Sequence, residues 1–64
     1  MSPLSVHEAR RLIIRVGCSN EVANLAEWGF AHGDITISDQ AHSYFAHAGG
    51  TEDEWSQIRV ALSA

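Results

Sequence analysis

The chain has no lysine, one cysteine and one proline, and its only standing cations are four arginines. Each scarcity excludes something. Cys18 has no second cysteine to pair with, so an internal disulfide is ruled out, and a lone thiol fits a reducing compartment. With eight acidic residues against four arginines the net charge is -4, so the summed field does not favour a phosphate backbone. No apolar run is long enough to span a membrane. Arg10-Arg11-Leu12-Ile13-Ile14-Arg15-Val16-Gly17-Cys18 has the outline of an export signal. Its apolar run is only Leu12 to Ile14, whereas such a signal needs about 7–15 apolar residues. A cytoplasmic location is therefore expected.

Metal-ligand spacing is also missing. Helical sites want ligands at i, i+3 or i+4, and none of the four histidines pairs that way. His42 and His47 diverge by about 140° on a helix. Asp39 and His42 share a face but supply only two ligands. The histidines read as boundary residues flanking an aromatic stripe, and no metal or cofactor is expected. Cys18 falls at the start of a helix, where the dipole would lower its pKa and favour a nucleophile. No motif surrounds it, and a bundle of this size has little room for a substrate cleft of several hundred Å³. The expectation is a structural cysteine and a protein that is not an enzyme.

What is present points to one small helical domain spanning 1–64. The hydrophobic fraction of 45% and the two tryptophans argue against disorder. The organising stretch is 20–32, where Val22, Leu25, Ala26 and Gly29 fall at i, i+3, i+4 and i+7. Gly29 lets a neighbouring helix come close, at roughly 1 kcal/mol of helix propensity. Ser5 and Glu8 form a capping box for a first helix, with Val6, Ala9, Ile13 and Val16 inward and Leu12 at the edge. Gly17 stops it, and Ser19 or Asn20 caps the next. Ser38 caps a third helix with Ala41, Tyr44, Phe45 and Ala48 inward. Thr51 and Glu54 form a second capping box, before an inward stripe of Trp55, Ile58 and Leu62.

Between these lies Gly33-Asp34-Ile35-Thr36-Ile37, whose alternation is β-like. It reads as an extended connector whose isoleucines plug the core, with a strand pairing to another copy as the alternative. The predicted fold is thus all-α, a compact bundle of four short helices at about 5–16, 20–32, 38–48 and 52–63, with the connector at 33–37. Met1 to Leu4 reads as a short leader.

The function expected is protein binding. A 64-residue chain buries only about 60% of its unfolded surface, and several apolar residues fall outside the stripes. Ile14 and Val60 lie off theirs and Trp28 sits at an edge. Arg11 and Arg15, at i, i+4 on the outer side of the first helix, are the most distinctive polar feature. Pairing of Glu8 with Arg11 would make this merely a solvated face. The acidic run Glu52, Asp53 and Glu54 offers the opposite charge, within one chain or between two. The expected partner-binding residues are therefore Arg11, Arg15, Ile14, Trp28 and Val60. The partner is another protein or a second copy, giving an accessory or inhibitor protein that acts as a homodimer in one version.

The runner-up is a DNA-binding regulator of helix-turn-helix type. The tight turn after the first helix suits that motif, but the second helix carries Glu21 and Glu27 and no Lys or Arg. The third helix is also without Lys or Arg, and its connection to the second is expected to be too long.

Overall fold

The computed structural model describes residues 4–63. Of the leader read at 1–4, residues 1–3 lie outside the described residues. Four helices follow in order: α1 (Val6–Arg15), α2 (Asn20–His32), α3 (Ile35–His47) and α4 (Glu52–Ser63). The described residues contain no strand.

The helix ends follow from hydrogen bonds that cap orphan backbone groups. At α1 the Ser5 N–H donates to Glu8 Oε1 at 2.9 Å, and the Glu8 N–H donates to Ser5 Oγ at 3.1 Å. The same reciprocal pair links Thr51 and Glu54 before α4, at 2.9 and 3.2 Å. Ser19 is the cap residue of α2, without a side-chain bond. Gly33 ends α2 in the left-handed region, at φ 66°, a conformation glycine adopts at no steric cost.

The start of α3 corrects the sequence reading. There is no extended connector at 33–37. Asp34, not Ser38, is the cap, its carboxylate accepting the Ile37 N–H at 3.1 Å. Ser38 lies inside the helix and donates its hydroxyl to the Ile35 carbonyl at 3.1 Å. Aspartate is a strong helix cap, the β-branched run Ile35-Thr36-Ile37 has no partner strand among the described residues, and the packing of α3 on α2 decides for the helix. Nor do both isoleucines plug the core: Ile35 is 74% exposed and only Ile37 is half-buried.

Packing centres on α2, which packs most extensively on α3 and also touches α1 and α4. Ala23, Ala26, Ala41 and Gly29 let backbones approach. A Cβ built on Gly29 would lie 2.8 Å from the Ser38 backbone nitrogen. Around Trp55, Phe45 and Phe30 form a tilted aromatic cluster with ring centroids 5.3 and 5.5 Å away. Ile13, Phe45 and Ile58 are the largest fully buried side chains. Trp55, Ile58 and Leu62 point inward as their spacing predicts. Tyr44 does not: it sits one residue before buried Phe45, on the margin of the stripe, and is 57% exposed. Val6, in the first turn of α1, is also exposed, as is Ala48 just beyond α3.

Candidate protein-binding surface

α1 has an inner and an outer face. Ala9 and Ile13 are buried, and Leu12 and Val16 half-buried. Rotation by about 100° per residue carries Arg11, Ile14 and Arg15 outward. They are exposed, Ile14 at 43%, and together line a shallow depression. Arg11 and Arg15 also line a longer groove of about 460 Å³ between α1 and α4, with Glu8 and Leu12 from α1 and Glu54 and Gln57 from α4. Leu4, packed against the core, completes its apolar floor.

The charges of this region have specific partners. Glu8 is not paired with Arg11. Its carboxylate faces back to Ser5, and the backbone and side-chain hydrogen bonds from Ser5 hold its pKa below the ordinary carboxylate value. Arg10 leaves the outer face and donates from Nη1 to Glu27 Oε1 at 2.6 Å, joining α1 to α2. Among the described residues neither Arg11 nor Arg15 has a carboxylate within salt-bridge distance. Of the acidic run, only Glu54 faces this groove. Glu52 is turned to His42 Nε2 at 2.6 Å, and Asp53 lines a separate depression between α3 and α4.

Trp28 and Val60 do not join the α1 group. Both are exposed, at 49% and 55%, but they line neither of these two grooves. Trp28 stacks on His32 with centroids 4.2 Å apart, while the His32 Nδ1–H donates to the Trp28 carbonyl at 2.9 Å. That fixes one indole face on the outside of α2.

His42 and Cys18 are engaged in the fold. His42 lies parallel to Trp55, with centroids 4.9 Å apart. Among the described residues no three His, Cys, Asp or Glu side chains are placed to hold a metal. Cys18 is not activated by the start of α2. Burial pushes its thiol pKa up, and Sγ–H donates to the Tyr44 carbonyl at 3.7 Å.

Sequence spacing contained a signal for the groove. Glu8, Arg11, Leu12 and Arg15 fall at i, i+3, i+4 and i+7, a complete second stripe on α1. The wall formed by Glu54 and Gln57 had no such signal, because it depends on how α4 docks.

The class this defines is a small four-helix protein with an open, charged groove along one helix pair. No helix among the described residues is long and apolar enough to cross a membrane. Comparison with protein families, with curated proteins and with solved structures gives no match.

Proposed function

We propose that this protein is a small binding module, an accessory or inhibitor protein that docks on another protein through the outer face of α1 and the groove beside it. One observation carries the reading. Arg11 and Arg15 are free of carboxylate partners among the described residues while they flank exposed Ile14 and overlie Leu4 and Leu12. Arginine is among the residue types enriched where interfaces carry most of their binding energy. Trp28 and Val60 serve as further contact points on α2 and α4. A role in binding is supported by grooves that are open to solvent and by a thiol that donates to a backbone carbonyl.

Native mass spectrometry of the gently purified protein, alongside an Arg11→Ala/Arg15→Ala/Ile14→Asp variant, tests this. The wild type is expected to carry a bound protein chain, and the variant to lose it while keeping its helical circular dichroism. A complex that survives all three changes would place the binding surface elsewhere.

The second reading is DNA binding, favoured by the two-residue turn Gly33-Asp34 that joins α2 to α3. This removes the objection that the connection is too long. Against it, α3 exposes Asp39 and has no Lys or Arg. Fluorescence anisotropy with a mixed-sequence duplex separates the two readings. Micromolar binding to the duplex that falls steeply with salt supports the DNA reading, and no binding to the duplex at low salt removes it.

A further inference from the structure

The groove stripe of α1 has an order of charges that fits itself. Along the helix it runs Glu8, Arg11, Leu12, Arg15: negative, positive, apolar, positive. The stripe faces the open groove between α1 and α4. Consider two copies of α1 laid antiparallel, with a two-fold axis passing between positions 11 and 12. A two-fold interface is self-complementary, so each contact occurs twice. Position 8 then lies level with 15, and position 11 level with 12. Glu8 meets Arg15 of the partner copy, while the two Leu12 side chains meet on one side of the axis and the two Arg11 stems run together on the other. Glu54, on the opposite wall of the same groove, is placed to receive the Arg11 head.

Charge also favours a second copy over other occupants. The groove holds two carboxylates and two guanidiniums, so it is neutral on a chain of net charge -4. It is therefore a face on which two acidic copies approach with little repulsion. A uniformly acidic or basic partner would leave half of these charges unmatched. The two helix dipoles also oppose one another in this arrangement.

We infer that the groove between α1 and α4 is the docking site for a second copy of this chain, the copies pairing antiparallel along α1 with Glu8 against Arg15 across the two-fold axis. This rests on the protein-binding reading above and names its partner. A face built on one short helix is small beside the roughly 800 Å² per partner of a standard interface, so the dimer is expected to dissociate at micromolar concentrations.

Sedimentation velocity on the full chain, from about 5 to about 500 µM, reads this directly. The wild type is expected to pass from monomer to dimer across that range. Arg15→Glu and Glu8→Arg each place like charges at both contacts, and each alone is expected to weaken pairing at least tenfold. Mixing the two variants restores opposite charges at both contacts, so native mass spectrometry of the mixture is expected to show the heterodimer. Glu8→Arg also removes the α1 capping box, so circular dichroism must accompany it. Arg15→Glu leaves the cap intact and decides the question by itself if the other variant unfolds. A dimer that tolerates Arg15→Glu, or a heterodimer absent between two folded variants, overturns the proposal. So does a wild type that stays monomeric at the highest concentration. That last result still leaves a different protein as the partner, so it is distinct from failure of the binding-module reading.

Discussion

Two sides of this molecule are built from opposite materials. The seam between α2 and α3 is lined by glycine and alanine, and it is closed: Gly29 brings α2 close enough that a single added methyl would meet the Ser38 backbone at 2.8 Å. The side between α1 and α4 is lined by Arg11, Arg15, Glu54 and Gln57, and it stays open as a groove. Small side chains let backbones meet and leave no room for anything else. Long charged ones hold helices apart at the rim and keep their heads in water. The seam thus serves stability, and the groove is left as the surface proposed for recognition, on a chain that has little core to spare.

Breaking the seam gives the largest expected effect. Gly29→Val puts a branched side chain against the α3 backbone, which cannot give way as a flexible side chain would. Overpacking of this kind costs about 3 kcal/mol, which is most of the stability a domain this small has. Urea unfolding followed by far-UV circular dichroism is expected to show the variant largely unfolded without denaturant. A variant as stable as the wild type would mean that α2 and α3 are not in close contact at Gly29.

A smaller effect sharpens how the seam is set. Gly33 and Asp34 fold the chain back at once, so α3 begins opposite the end of α2 and Ser38 reaches Gly29. Asp34→Ala removes the cap bond to Ile37 and is expected to cost about 1 kcal/mol in the same unfolding assay. Ser38→Ala is expected to cost nothing, because a serine inside a helix gives up only a local bond to its own backbone. The opposite order would return the helix start to Ser38.

That start is the main feature the sequence could not reveal, and the reason is physical. Capping boxes at Ser5–Glu8 and Thr51–Glu54 are local chemistry, complete within four residues, and so are readable in the chain. The stripe Trp55, Ile58 and Leu62 is likewise local. Ile35-Thr36-Ile37 offers a local β-like signal and Asp34 a local capping signal, and only the packing of α3 on α2 shows which prevails. The pairs Arg10–Glu27 and His42–Glu52 join residues 17 and 10 positions apart. They depend on helix docking and leave no mark in the spacing. The groove lies between these cases. Its α1 wall is legible as Arg11 and Arg15 at i, i+4, but Leu12 reads as part of the core edge and Glu54 as a cap alone. Trp28 and Val60 are exposed as expected, yet lie outside the two α1 grooves because the wheel of a single helix says nothing about which helix stands beside it.

The open side is tested more gently through Glu8, which belongs to both the α1 cap and the groove wall. Its hydrogen bonds from Ser5 lower its pKa in the folded chain. An unfolded glutamate titrates near about 4.3, so between the two values the unfolded chain binds more protons than the folded one. Stability then rises with pH across that interval. Equivalently, the contribution of Glu8 is fully present above about pH 4.3 and is lost as the pH falls through the folded value. Glu8→Gln is the matched control, because glutamine can fill the same place in a capping box and does not titrate. The other carboxylates titrate in both proteins, so the difference between their urea midpoints isolates Glu8. That difference is expected to be constant near neutral pH and to move in favour of Glu8→Gln as the solution is acidified. A difference that stays flat down to about pH 2.5 would mean that Glu8 titrates alike in both states. Its bonds to Ser5 would then add no charge-dependent stability, and Glu8 would serve only as the negative end of the groove stripe.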